Sequence, residues 1–446
     1  MVWKSFGRLL VVLVALPLLA AACSSGAGDD AADADAGGGD AAPADIDYEA
    51  IGLWDDGPCD EAAAPLHIGL MTTFESPVIS LEDQALALEA AAEAFNARGG
   101  ANGSCIQVTT CDDKANPESA VACVRTIADA GVVVTVNDQG LAAQGDVAKA
   151  MVEANIPRMA GNVTPSDWND PNSYPIDASG TGVTFLLPQG LIDDDITEIA
   201  AIRVGQAEAS ALIGILEGIY EGEAELTADI PVPAGTTDFS QFILGAQEAG
   251  ATGAMLAVGE QEAVQIVQAG QQLGSDLVLG SSLGTFSQQN IADLGDYAEN
   301  MVFVWSFAPP TTDIPAYEAM RADLAASGEE SLEAQNLKAS PVRSWIGLYA
   351  LLKMVRDAGL TDFTSDSIRN LLDTAVDVPM LGMFGDENWT PNESHPGLFS
   401  RAGIDRWATY SWDPDAGDDG NFAEQSELSF DEVLCGSPFG APADSC

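Results

Sequence analysis

The sequence runs to 446 residues, more than one ordinary core accommodates, so at least two lobes are expected after processing. Hydrophobic residues make up 47% of it, enough for globular folding over most of the length. With 69 Asp and Glu against 16 Lys and Arg the net charge is −53, which repels nucleic acid phosphates and anionic lipid headgroups, excludes nucleic acid as a partner and reads as a solvated acidic surface.

Lys4 and Arg8 form a basic start, Leu9–Leu19 an apolar run broken by Pro17, and Ala20, Ala21 and Ala22 lead into Cys23. The run is too short for a permanent membrane span, and its small-residue exit marks residues 1–22 as a secretory signal peptide. The cysteine directly after it resembles a bacterial lipobox, with Ala20 where that pattern prefers leucine. Cys23 is therefore the expected lipidation site, and the mature chain is expected outside the cytoplasm, anchored to the cell membrane by lipid. Residues 23–60 read as a disordered acidic tether: Ser24–Asp47 is a Gly, Ala and Asp coil with a reach on the order of 30 Å. Setting Cys23 aside, six cysteines remain, an even number that suits disulfides in an oxidising compartment. With no C-x-x-C pair, neither zinc nor thioredoxin-like chemistry has a foothold.

Order begins near Leu66. Leu66–Met71 predicts a strand and Thr72–Ser80 a loop. Leu81, Ala85, Leu88, Ala92 and Phe95 then recur at helical spacing up to a stop at Gly99-Gly100. Ile106–Thr110 is the next expected strand, and Asn116-Pro117 suits the cap and first residue of a helix through Ala130. Val132–Val136 reads as a strand buried on both faces, followed by a helix over Ala142–Ala154 and a strand near Pro157–Ala160. This alternation predicts a parallel sheet with right-handed crossovers. Asp193-Asp194-Asp195 reads as the exposed start of a helix. A second series has strands at Ile199–Val204, Ala224–Ile230, Ala254–Val258 and Val278–Gly280. Helices at Ser210–Tyr220, Phe239–Ala249 and Glu260–Leu273 lie between them. Pro341–Ala358 and Ser365–Ala375 read as amphipathic helices. The expected fold class is α/β, two doubly wound lobes with a ligand crevice at the carboxyl ends of their strands.

Several segments carry a family resemblance in their order and spacing. They are Ile68-Gly69-Leu70-Met71-Thr72-Thr73, Phe95-Asn96-Ala97-Arg98-Gly99-Gly100 with Gly103, and Cys111-Asp112-Asp113-Lys114-Ala115-Asn116-Pro117-Glu118-Ser119-Ala120. Thr237-Asp238-Phe239-Ser240, before a helix ending Ala249-Gly250-Ala251, adds to them. Over roughly residues 64 to 430 the chain resembles the branched-chain amino acid type (type I) of periplasmic binding protein, here in lipoprotein form. The resemblance implies a three-strand hinge with crossings near Asp177–Gly182, Asn300–Trp305 and Leu381–Asp386. Lobe 1 would be 64–178 plus 304–383, and lobe 2 would be 179–303 plus 384–446. It implies a monomer that delivers a small polar metabolite (an amino acid, amide or small organic acid) to the permease of an ABC importer, with no cofactor and no metal. The implied ligand contacts are Thr72, Thr73, Phe74, Asn137, Asp138, Gln139, Gly140, Asn162 and Thr164 on lobe 1. On lobe 2 they are Glu260, Gln261, Ser281, Ser282 and Leu283, with Trp305 and Phe307 beyond a crossing. Helix-start backbone N–H groups such as those of Gln139–Ala142 would suit a carboxylate. By their positions alone Asp138 and Glu260 read first as helix caps or dipole partners, and Trp305 and Phe307 as hinge-side core, with ligand contact as the second reading.

The sequence departs from the leucine-binding pattern. Asn137-Asp138-Gln139-Gly140 stands where Ser or Thr would hold an α-carboxylate, and Gly280-Ser281-Ser282-Leu283 carries no acid for an α-ammonium. Gly205-Gln206-Ala207-Glu208 stands where a Tyr-Gly segment is expected. Since an unpaired buried ammonium costs several kcal/mol, leucine, isoleucine and valine are expected to bind poorly. Disulfides are expected at Cys59–Cys105, Cys111–Cys123 and Cys435–Cys446, because Cys105 and Cys111 bracket one extended strand and lie too far apart to bridge. Catalysis has little to work with: His67 lies in a strand and His395 in a loop, and neither has a local nucleophile. Asp413, Asp415, Asp419 and Glu424 fall in a calcium-loop register, but Asp418 stands where glycine is needed, so a hairpin turn is expected. The remaining alternative is a ligand-sensing lipoprotein acting through a separate signalling partner.

Overall fold

The computed structural model describes residues 46–446 other than 75, 77–79, 141, 162, 163, 165, 206, 398, 417–419 and 446, with the backbone alone at 207–211 and 335. The expected signal peptide, Cys23, the tether up to residue 45, Asn162, Gln206 and Cys446 lie outside the described residues.

A short helix, α1 (Tyr48–Ile51), precedes the apolar run that becomes β1 (Leu66–Thr72), buried throughout except at His67. Then come α2 (Glu82–Ala97), β2 (Ile106–Asp112), α3 (Pro117–Asp129), β3 (Val134–Val136), α4 (Gln144–Glu153), β4 (Arg158–Met159) and β5 (Ser173–Tyr174). The start of α3 is as expected: the Asn116 side chain accepts from Glu118 N at 2.9 Å and Ser119 N at 3.1 Å, with Pro117 at the first helical position. Among the described residues these five strands form one parallel sheet in the order β2-β1-β3-β4-β5. Both of its faces are covered. α2 packs over one, while Ile127, Val147 and Met151 from α3 and α4 build a separate apolar cluster on the other.

The second series is α5 (Ser179–Asp193), β6 (Glu198–Val204), α6 (Ala207–Ile219), β7 (Glu225–Val232), α7 (Ser240–Glu248), β8 (Gly253–Ala257), α8 (Glu260–Leu273), β9 (Val278–Ser282), α9 (Gln288–Ala292) and β10 (Met301–Trp305). The chain continues through α10 (Pro315–Ala325), α11 (Ala339–Asp357) and α12 (Ser365–Thr374). The hairpin β11 (Arg406–Asp413) and β12 (Asn421–Ser429) and then α13 (Phe430–Leu434) follow. The second sheet has the order β12-β11-β10-β9-β8-β6-β7, parallel from β7 to β10 and antiparallel at the hairpin. Two α/β lobes therefore form, each with a parallel-dominated sheet, as the alternation predicted. No helix among the described residues is long and apolar enough to cross a membrane.

Three readings need correction. Residues 46–60, expected as part of the tether, are ordered: α1 forms there, Leu53 and Trp54 are buried, and Cys59 is bonded to Cys105. Asp193–Asp195 close a helix rather than start one, since Asp193 is the last residue of α5 and Asp194 its cap. That helix has no sequence signature, because Gly180, Gly182, Pro188 and Gly190 all disfavour it. It forms because it packs against β9 and β10, and at Gly182 an added Cβ would meet Trp407 at 2.3 Å. α11 is not amphipathic: Pro341 to Leu352 are buried without a break, wedged against α2 and β3. A helix apolar all round belongs inside a core, and each large side chain there contributes about 1.5–3 kcal/mol. The Asp- and Gly-rich segment at 413–420 does join a hairpin, although its tip lies outside the described residues.

Two expected disulfides are present. Cys59–Cys105 ties the lead-in of β1 to that of its neighbour β2, with the Cα atoms 5.1 Å apart. Cys111–Cys123 ties β2 to α3, with the Cα atoms at 5.6 Å. Replacing Cys111 and Cys123 together by alanine is expected to cost about 3 kcal/mol, the loop-closure value for a short ring, read as a lower urea midpoint with an unchanged slope.

Candidate functional site

Parallel strands deliver their loops to one edge of a sheet. The segments after β1 and β3 on the first sheet, and after β6, β8 and β9 on the second, border a cleft of about 1070 Å³. Gln139, Ser80, Asp83 and the start of α11 line one wall. The start of α5, Arg203, the turn from β8 into α8 and Ser282 line the other. Val183, Leu187, Leu212, Ile213 and Leu256 form an apolar patch on that second wall.

At the floor three chain segments meet. Ile404 N donates to Ile176 O at 2.6 Å, Asp177 bridges Ile404, and the Ser306 hydroxyl donates to Asp177 Oδ2. Met383 O, in the segment expected to hold the third crossing, accepts from Ala308 N at 2.9 Å. Gly403 has φ +72° and lies so close to Ile176 that a Cβ would come within 2.4 Å of its carbonyl oxygen. The buried Asp177 carboxylate accepts from Arg343 Nη2 through both oxygens, at 2.8 and 2.9 Å, and from Ser179 N at 2.8 Å. Arg343 Nη1 donates to Ser179 Oγ at 2.8 Å, and the guanidinium lies over the rings of Trp305 and Phe307 at 5.3 and 5.7 Å. Arg343 Nε and Trp305 Nε1, both buried and both on cleft-lining residues, have no hydrogen-bond partner among the described residues.

The expected contacts divide into two groups. Gln139, Glu260, Gln261, Ser282 and Trp305 are brought together as lining of the cleft. Thr72, Thr73, Phe74, Asn137, Gly140 and Thr164 lie behind the wall. Thr72 Oγ1 donates to Gln139 O at 2.8 Å, and Thr73 Oγ1 donates to Asp113 Oδ1 at 2.6 Å. Phe74 is half-buried with its N–H on Asp112. The Asn137 amide donates to Ser340 O at 3.0 Å and Ser344 Oγ at 2.8 Å, tying β3 to α11. Gly140 packs against Asp113 and Gln144, and Thr164 donates to Asp167 through both its N–H and its hydroxyl. Asp138 is neither helix cap nor cleft residue: its carboxylate accepts from Met71 N and Thr135 Oγ1, with Arg158 Nε at 3.6 Å. Burial pushes the Asp138 carboxyl up, against the opposing pull of Arg158. Phe307 is hinge-side core, and Trp305 serves both as core and as wall.

Sequence reasoning missed Arg203, Lys338 and Arg343, the cations of this cleft among the described residues. Each is held by carboxylates. Arg203 Nε and Nη2 donate to Asp229 at 2.7 Å each. Lys338 Nζ lies 3.2 Å from Asp83 Oδ2 and 2.8 Å from Glu260 Oε2. Burial alone lowers the Lys338 ammonium, but the two carboxylates outweigh it and hold it raised. A usable signal was available: Arg343 interrupts an otherwise apolar helix, and a charge in that position must find a buried partner.

A family model described as a periplasmic binding protein matches residues 65–401. The chain belongs to that family. Solved structures share its fold at low identity. A fatty acid ABC transporter substrate-binding protein from Thermomonospora curvata has TM-score 0.67 at 15% identity, covering 85% of this chain and 96% of that one. An R. palustris ABC transporter solute-binding protein in complex with 4-hydroxybenzoate has TM-score 0.62 at 15% identity, covering 82% and 97%. A leucine-, isoleucine-, valine-, threonine- and alanine-binding protein from Brucella ovis, in its closed conformation, has TM-score 0.65 at 16% identity, covering 83% and 97%. No curated protein matches the sequence.

In this periplasmic binding protein the Asp177–Arg343 pair holds the floor of the cleft. Asp177→Asn should leave Arg343 buried with a weakened partner and cost on the order of 3 kcal/mol in urea unfolding. The double variant with Arg343→Met should recover more than half of that loss, whereas an equal or larger loss would show that the pair is not the determinant.

Proposed function

We propose that this chain is the extracytoplasmic solute receptor of an ABC importer, that it acts by binding rather than catalysis, and that its cleft takes a small organic acid or amide. The observation that carries the ligand class is the pair of buried, unpartnered donors at the cleft floor, Arg343 Nε and Trp305 Nε1. Buried donors without partners cost free energy that an acceptor on a ligand would relieve. α5 and α8 both begin at the cleft, so their positive ends favour the same charge. The apolar patch from Val183 to Leu256 would take the body of such an acid. The named ligands of two structural neighbours, a fatty acid and 4-hydroxybenzoate, are of this chemistry.

In this reading lobe 1 is 64–178 plus 304–383 and lobe 2 is 179–303 plus 384–446. The three segments at the floor act as the hinge, and solute drives closure by binding the closed form better than the open one. Thr72, Thr73, Asn137 and Thr164 position the wall that Gln139 presents to solute. Cys23 carries the lipid, residues 24–45 act as the tether, and the third disulfide is Cys435–Cys446.

A thermal-shift screen of aliphatic and aromatic carboxylic acids and their amides should yield a hit that also shrinks the radius of gyration in small-angle scattering. Trp305→Phe keeps the ring and removes the N–H, and should weaken that hit about 10-fold, the value of one hydrogen bond to a charged group. A hit that neither compacts the protein nor responds to Trp305→Phe would place the solute elsewhere. Anchoring has its own test. Globomycin should leave an unprocessed precursor, and Cys23→Ser should no longer be held at the membrane through lipid; equal processing and retention of the variant would remove the anchor.

A further inference from the structure

Lys338 immediately precedes α11, on the wall formed with the first sheet. Its ammonium contacts Asp83 Oδ2 on α2, at 3.2 Å on that same wall, and Glu260 Oε2, at 2.8 Å at the first residue of α8 on the opposite wall. All three side chains line the cleft, and they are partly withdrawn from water, with 22% of the Lys338, 8% of the Asp83 and 35% of the Glu260 side chain exposed. Two carboxylates converging on one point from facing walls are an ammonium site by any electrostatic criterion. Without a cation between them they would repel, and Asp83 would be a buried charge lacking a counter-ion. The chain fills the position itself.

The other carboxylates of the cleft do not offer a replacement. Asp229 accepts from two nitrogens of Arg203, Asp177 accepts from Arg343 Nη2 through both its oxygens, and Glu82 at the start of α2 is exposed to solvent. What remains at this end of the cleft is Asp83 Oδ1, buried and without a partner among the described residues, which can accept from a hydroxyl or amide but is already neutralised as a charge.

We propose that Lys338 is a built-in counter-cation that sets the ligand class: Asp83 and Glu260 form an ammonium site, Lys338 occupies it, and the solute therefore carries no ammonium group. This deepens the reading of the cleft as the solute site and rests on it. A zwitterion entering the cleft would have to displace Lys338 or set its own ammonium beside it, and either penalty is absent for the same molecule without the amine.

The test uses the whole mature chain and two probes. n-Propylammonium, with tetramethylammonium at equal ionic strength as control, is titrated against the unaltered chain, Lys338→Ala and Lys338→Ala/Glu260→Gln, followed by thermal shift and by NMR. Lys338→Ala should bind the primary amine at least about 10-fold more tightly than the unaltered chain does, and the added Glu260→Gln should abolish the gain. Lys338→Gln repeats the measurement should alanine at this position unfold the protein. If removal of Lys338 brings no preference for the primary amine over the control, the two carboxylates are not a cation site and the proposal falls. In the second arm, carboxylic acids are compared with their α-amino counterparts on the unaltered chain, and the acids should stabilise it more. An amino acid bound as tightly as its des-amino analogue would overturn the assignment while leaving the cleft as solute site. Amine capture by Lys338→Ala, with no acid or amide acting on the unaltered chain, would sustain the filled ammonium site and remove the organic-acid reading instead.

Discussion

The Asp177 carboxylate is buried where three chain segments meet at the floor of the cleft. It sits on the first of the three segments at the cleft floor and accepts from Ser306 on the second, while the backbone of Asp177 pairs with Ile404 on the third. It also caps the first turn of α5 through Ser179 N. A bare carboxylate there would be untenable, so the geometry depends on Arg343 arriving from α11 with Nη2 placed on both carboxylate oxygens. Arg343 in turn is admitted to a buried helix because Asp177, Ser179 Oγ and the faces of Trp305 and Phe307 replace its hydration.

The same economy governs charge in the cleft. The chain has 16 Lys and Arg against 69 Asp and Glu, yet three of those cations are placed around one cavity. Global acidity says nothing of this, because surface carboxylates are screened within about 8–10 Å by ordinary salt, while partly buried groups respond to their neighbours. Each cleft cation is matched by carboxylates from a different element, Asp229 from β7, Asp177 from the floor, and Asp83 with Glu260 from the two walls. Arg343 Nε, Trp305 Nε1 and Asp83 Oδ1 are buried on cleft-lining residues without a hydrogen-bond partner among the described residues.

Local pattern decided much of the scaffold. The run Leu66–Met71, the spacing from Leu81 to Phe95, the cap Asn116-Pro117 and the alternation of strand and helix are written in nearest-neighbour physics, so both parallel-dominated sheets were legible. The pairings Cys59–Cys105 and Cys111–Cys123 were legible for the same reason, since a strand's length rules out the alternative within it. The family resemblance pointed to Gln139, Glu260 and Ser282, and they line the cleft because parallel strands deliver their following loops to one edge. What pattern could not supply was long-range. α5 forms against every local preference of Gly180, Gly182 and Pro188, because burial between Trp407 and the second sheet outweighs propensity. Thr72, Thr73 and Asn137 sit at the right strand ends yet turn into the protein, where Asp113, Ser340 and Ser344 satisfy them. The partners of Lys338 and Arg343 lie 78 to 255 residues away in the chain, and no spacing rule connects them. Sequence thus determined most of the alternating strands and helices and the edge their loops occupy. Tertiary packing decided which side chains face the cleft, because a buried charge or donor takes its orientation from whatever distant group can satisfy it.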